Sequence, residues 1–279
     1  LNGLSAVECY LQDFHQRIVG STPAAFSKLP AKANGVIHAS SYHVLASLIP
    51  GETRSATVLD LGCGDGHLLG LLADRRQPGL DLIGVDMSRA ELEAARASLP
   101  GDVALLNERA QHLSVESGSV QFVLSHMALM LMDDIEQVFS EIRRVLSSRG
   151  TVSFIVGRSF LSGPVKQLYV DALRPIAKDE GAQLRFGDPR TQLEDCWAAL
   201  LSRSFHEVAC TDVDVDWTPS PGELWESLST TYDVDRLSVS GRAALRERFL
   251  AALVEVQEHD GRIRTGWGQR LVTAKARRH

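Results

Sequence analysis

Thr57-Val-Leu-Asp60-Leu-Gly62-Cys-Gly64-Asp65-Gly66-His67-Leu-Leu is the stretch that decides the fold of this 279-residue chain. Val58, Leu59 and Leu61 make a short apolar run of the kind that forms a buried strand, with one acid, Asp60, inside it. Three alternating glycines break the run, and Leu68, Leu69, Leu71 and Leu72 then open a helical pattern. Strand, glycine turn, helix is how an open α/β sheet makes a ligand site at the carboxyl edge of a strand. Glycines at such a turn tolerate positive φ and let the backbone approach a ligand without a Cβ in the way.

The surrounding pattern agrees. From 57 to 158 short apolar runs alternate with helical periods, as a parallel sheet flanked by helices requires. Leu82 to Val85 reads as a second strand ending at Asp86, Val103 to Leu106 as a third, Val120 to Leu124 as a fourth and Thr151 to Val156 as a fifth. Ile135, Val138, Phe139, Ile142, Val145 and Leu146 follow a 3.6-residue period between the last two. Ser88 with Glu91 has capping-box spacing at one helix start, as Ser5 with Glu8 has at the chain's first helix. The breaks at Gly20 to Pro23 and Pro30 to Gly35 lead to an expected helix over 36–49. Beyond 159 the helical stretches are interrupted by Gly163-Pro164, Pro175 and Gly181. Val208 to Trp217 and Arg270 to Ala274 read as late strands around a helix over 241–258.

The loop from Asp60 to Gly66 resembles motif I of the class I methyltransferases that use S-adenosylmethionine (SAM), whose pattern is apolar-apolar-Asp/Glu-apolar-Gly-x-Gly-x-Gly. A dinucleotide loop needs G-x-G-x-x-G, and its last position here holds His67. The resemblance implies a Rossmann-like α/β fold with a seven-stranded, mostly parallel sheet, a helical N-terminal lid and an insertion after strand five. It divides the chain into a lid segment (1–50), a SAM-binding core (51–158) and a substrate cover with the last two strands (159–279). It further implies SAM as methyl donor, S-adenosylhomocysteine (SAH) as product, no metal, and a small, apolar or aromatic acceptor methylated on C, N or O, as in secondary metabolism. Two alternatives stay open at this point: an NAD(P)-dependent oxidoreductase and a SAM-binding protein without catalysis.

The same resemblance places the site. Gly62, Cys63 and Gly64 offer backbone to the methionine tail, with Asp60 and Asp65 supplying negative charge. Asp86, about twenty residues past the loop, suits the two ribose hydroxyls, and Met87 the adenine face. Ala110, Gln111 and Ser125 complete the expected cofactor contacts. Relatives carry an acid after the third strand for the adenine amine; this chain has Arg109 there, which has no acceptor atom. His126, at the end of the fourth strand, is the candidate general base, and Tyr42 and His43 are candidates for a lid or substrate contact.

Composition bounds the rest. Hydrophobic content is 44% and charged content 23%, with a net charge of −6, so no basic footprint for nucleic acid or an anionic membrane is expected. The four cysteines (Cys9, Cys63, Cys196, Cys210) form no C-x-x-C pair, which points to neither a zinc site nor a disulfide framework and suits the cytoplasm. The first twenty residues carry Glu8, Asp13 and Arg17, unlike a signal peptide, and no apolar run is long enough for a bilayer. The expected partner is therefore the small-molecule acceptor, with the chain a monomer or homodimer.

Overall fold

A computed structural model describes residues 4–52, 55–181, 185–192 and 196–277. The chain opens with helices α1 (Ala6–Arg17) and α2 (Ser21–Phe26), a hairpin of β1 (Ala31–Ala33) and β2 (Val36–His38), and helix α3 (Ser41–Ala46). An alternating core follows: β3 (Ala56–Leu61), α4 (His67–Ala73), β4 (Leu80–Asp86), α5 (Arg89–Ser98), β5 (Ala104–Asn107), β6 (Val120–His126), α6 (Ile135–Val145) and β7 (Leu146–Ser159). Helices α7 (Val165–Asp179) and α8 (Cys196–Leu201) lead to β8 (Phe205–Trp217). Helices α9 (Pro221–Ser229), α10 (Tyr232–Asp235) and α11 (Val239–Leu253) lead to β9 (Thr265–Ala276).

All nine strands join one sheet in the order β2-β1-β8-β9-β7-β6-β3-β4-β5. Strands β3 to β7 are mutually parallel, and β9 inserts antiparallel between β7 and β8. The order doubles back at β3, with β4 on one side and β6 on the other, so the carboxyl edge splits there. Such a switch point is where open α/β sheets hold ligands.

The sheet therefore has nine strands rather than the seven expected. The extra pair is the β1–β2 hairpin, which lies along β8 with Ala31 opposite Val215 and Ala33 opposite Val213. Its turn is Asn34-Gly35, both with positive φ (49° and 78°), the strongest short-range hairpin signal a sequence offers. Three-residue strands are too short to show a period, so the stretch reads only as a break. The hairpin also shortens the helix expected over 36–49: it starts at Ser41, where the Ser40 side chain caps the His43 N–H.

Apolar side chains pack on both faces. One core gathers Leu45, Leu68, Leu69, Tyr169, Leu245 and Phe249 against α3, α4, α7 and α11; the other sets α6 and α8 on the opposite face through Val138, Phe139, Ile142, Trp197 and Phe205. At α1 the Ser5–Glu8 capping box forms in both directions. At α5 only half does: Ser88 Oγ accepts from the Glu91 N–H, while the Glu91 carboxylate turns back to the N-terminal segment. Among the described residues no helix is long and apolar enough to cross a membrane.

Candidate active site

The carboxyl ends of β3, β4 and β6 open into a cavity of roughly 1060 Å³, its mouth included. Its floor is the β3–α4 loop. Gly62, Gly64 and Gly66 all take positive φ (72°, 53° and 81°), and Gly62 and Cys63 donate their N–H groups to the Val85 carbonyl at 2.8 and 3.0 Å. A Cβ on Gly62 would stand 2.5 Å from that of Ala128. The glycine is needed there twice, for its conformation and for its closeness to the next loop.

Asp86 ends β4. Its Oδ2 accepts from the Gly64 N–H at 2.9 Å and its Oδ1 from the Ser88 N–H at 2.8 Å. The two bonds fix the carboxylate at the cavity wall and leave each oxygen a second lone pair for a ligand hydroxyl. Burial raises the pKa of Asp86, and those two N–H groups oppose the rise. Asp60 lies deeper. Burial first, then the neighbouring Asp86 and Asp65, push its carboxyl up to about 8.

Of the expected site residues, Asp60, Gly62, Cys63, Gly64, Asp86, Met87, Ala110, Gln111, His126 and Tyr42 line this cavity, as does Asp65. Ser125 and His43 do not. Successive strand residues face opposite ways, so when His126 faces the cavity Ser125 turns from it, and its Oγ donates to the Leu61 carbonyl at 2.7 Å. On α3 adjacent residues are about 100° apart: Tyr42 faces inward, and His43 Nδ1 lies 2.9 Å from Ser40 Oγ. Ser125 thus ties β6 to β3, and His43 belongs to the helix start.

His126 is buried. Its ring stacks on Tyr42 (centroids 3.7 Å apart), and its Nε2 lies 2.8 Å from Ser41 Oγ. Burial, helped by His67, lowers its pKa to about 3, so the ring is neutral at pH 7. Its Nδ1 has no hydrogen-bond partner among the described residues.

The resemblance implies a helical lid over 1–50, but sequence reasoning missed the residues that form the roof. Helix α1 crosses the cavity and contributes Glu8, Leu11 and His15, and Tyr232 of α10 meets them. Glu8 accepts from Arg109 Nε at 3.0 Å. His15 lies 2.8 Å from Glu91 Oε1 through Nδ1 and 3.0 Å from Tyr232 Oη through Nε2. The capping spacing of Ser5 and Glu8 disclosed the helix start but not the second use of Glu8, which depends on a residue 101 positions away. Six carboxyl groups (Glu8, Asp60, Asp65, Asp86, Glu91, Glu108), Asp60 held protonated among them, thus line a cavity whose basic side chains are Arg109, His15 and the uncharged His126. That electrostatic balance fits a cationic ligand.

A glycine loop at the switch point, an acid ending the next strand and an acid-lined cavity are where the resemblance to class I SAM-dependent methyltransferases falls in the structure. Residues 59–154 match the family model described as "Methyltransferase domain", and this match, with the relatives below, supports a SAM-dependent methyltransferase. It is 27% identical over 221 residues to a malonyl-[acyl-carrier protein] O-methyltransferase of Geobacter sulfurreducens, covering 76% of this chain and 79% of that one. It is 26% identical over 192 residues to a trans-aconitate 2-methyltransferase of Methylobacterium radiotolerans (59% and 67% covered). A solved structure from Anaeromyxobacter dehalogenans shares the fold at a TM-score of 0.59, with 17% identity and 86% and 96% of the two chains covered. The oxidoreductase alternative gives way to the family domain.

Proposed function

We propose that this chain moves a methyl group from SAM to a small, apolar or aromatic acceptor, and that the cavity under α1 holds both reactants. The observation that carries the reading is Asp86: a buried carboxylate aligned by the Gly64 and Ser88 N–H groups, with lone pairs left for a ribose diol. Backbone at Gly62 to Gly64 then faces the methionine tail, and Met87 the adenine. When bound, SAM supplies a methyl group on a positively charged sulfur, already activated toward displacement.

The chain's own residues do the rest. The carboxylates favour the cationic reactant, and α1 with Tyr232 keeps water from the reacting atoms. Bound SAM would supply the methyl group by displacement, its sulfur keeping the electron pair of the bond that breaks as the bond to the acceptor atom forms. Alignment supplies much of the acceleration. An acceptor that carries a proton must lose it, and the candidate to take it is neutral His126, whose Nδ1 has no hydrogen-bond partner among the described residues. The apolar lining (Tyr42, Met127, Leu131, Met132) supports an apolar or aromatic acceptor. The named relatives act on carboxylated substrates, which leaves O-methylation of a carboxylate as the second reading.

The test is calorimetry with SAH. Asp86→Ala should weaken SAH binding about 10- to 100-fold, as loss of two charge-assisted hydrogen bonds implies. Unaltered protein that binds no SAH would end the proposal.

A further inference from the structure

Gln269 stands on β9 between Gly157 of β7 and Val213 of β8. It is fully buried, and among the described residues neither its Oε1 nor its Nε2 has a hydrogen-bond partner. Interior amides are nearly always paired, because an unpaired donor and acceptor in the core are destabilising where a leucine would not be. A chain that keeps such an amide has a use for it.

The neighbouring strand shows where the partner would come from. Residues paired across strands face the same way, so a side chain on Gly157 would project beside that of Gln269. Gly157 is exposed although its strand is interior to the sheet. Beyond its chain neighbours, a Cβ there would meet one heavy atom within 4 Å, the Met127 Cε at 3.8 Å. Met127 lines the cavity already described and is held at φ 55°, a strained setting for a residue with a side chain, of the sort that gathers at working sites. Met127 thus stands between the cavity and the open side of Gly157, whose cross-strand neighbour is the buried Gln269.

Aromatic rings pack along the same row of the sheet. Leu271, Gln269 and Trp267 follow one another on one face of β9, with Leu271 in register with Ile155 and, through it, with His126. The Phe26 ring lies 6.1 Å from that of His126 and 5.4 Å from that of Trp267, so it spans the row that holds Gln269. Trp217 stacks on Trp267 at 5.1 Å.

Resting on the SAM reading above, we propose that the space over Gly157 is the acceptor subsite. It takes a neutral planar aromatic ring bearing a group that both donates and accepts a hydrogen bond, a carboxamide or a hydroxyl. The ring lies among Phe26, Trp267 and Met127; the polar group pairs with the Gln269 amide. Gln269 is then the residue that selects acceptors.

The probes are benzamide and toluene, alike in ring and different in the polar group, titrated by NMR into the SAH-saturated chain. Benzamide should bind Gln269→Leu about tenfold more weakly than the unaltered chain, the worth of the lost hydrogen bonds. Toluene should bind both within a factor of about two, and Gln269→Leu should melt no lower than the unaltered chain. Gly157→Ala, whose methyl has room to fold, should weaken both probes while leaving SAH affinity unchanged. Equal benzamide affinity in Gln269→Leu, or toluene binding as tight as benzamide, with SAH still bound, overturns the subsite alone. Failure of the unaltered chain to bind SAH overturns the subsite and the cofactor reading together.

Discussion

Glu8 of α1 and Arg109, just past β5, form an ion pair at the wall of the cavity, with Glu8 nearly buried and Arg109 one-third exposed. Arg109 occupies the place where relatives of the resembled class carry an acid, and α1 brings a carboxylate back to it. The roof is bolted through the same helix: Tyr10 and Arg17 reach Asp235, His15 reaches Glu91 and Tyr232, and Gln12 donates to the Met87 carbonyl.

Removing one partner of this pair should hurt more than neutralising the other. Arg109→Ala leaves the Glu8 carboxylate buried beside the cavity and should cost about 1–3 kcal/mol, reduced by solvent on the arginine side. Glu8→Gln keeps an acceptor and should cost less. Chemical denaturation of both variants decides; an equal or reversed order would refute the account.

Asp60 should make stability depend on pH. Its folded pKa of about 8 lies above an unfolded value near 3.9, so the folded state holds a proton that the unfolded state has lost. The stabilisation is complete below the unfolded pKa and disappears as pH rises through 8. Asp60→Asn should therefore flatten the fall in melting temperature between about pH 5 and 9. A parallel pair of curves would remove Asp60 as the cause.

His126 should give the rate no inflection near the ordinary histidine pKa, because burial holds its own near 3. Turnover should then be insensitive to this group from about pH 5 upward, for any acceptor that loses a proton to it. His126→Ala should lower kcat while changing SAH affinity by less than about twofold, if the ring serves the acceptor's proton rather than the cofactor. Unchanged turnover would take His126 out of the mechanism.

Gly62→Ala should be far more damaging than Gly64→Ala. Both residues take positive φ, but a Cβ on Gly62 would overlap that of Ala128, whereas one on Gly64 meets only Glu91 Oε2 at 3.8 Å. SAH calorimetry and melting curves of the two variants compare the backbone strain common to both with the clash found at Gly62 alone.

What the sequence determined by itself is local. Asp60 to Gly66 and Asp86 lie within one strand-turn-helix unit and the next strand, where periodicity and glycine spacing are read directly. The same holds for β3 to β9, each long enough to show its pattern. Local reading failed where two short features compete: Asn34-Gly35 looks like a break until β8 is there to pair with β1, and Tyr42 and His43 look equivalent until the helix faces are assigned. Only tertiary structure decided the roof and the acceptor side. Glu8 meets Arg109, His15 meets Tyr232, and Gln269 comes beside Gly157, each across about a hundred residues or more of chain. Such meetings depend on strand order and register, which are set by burial of whole faces and leave no spacing signal in the residues that meet.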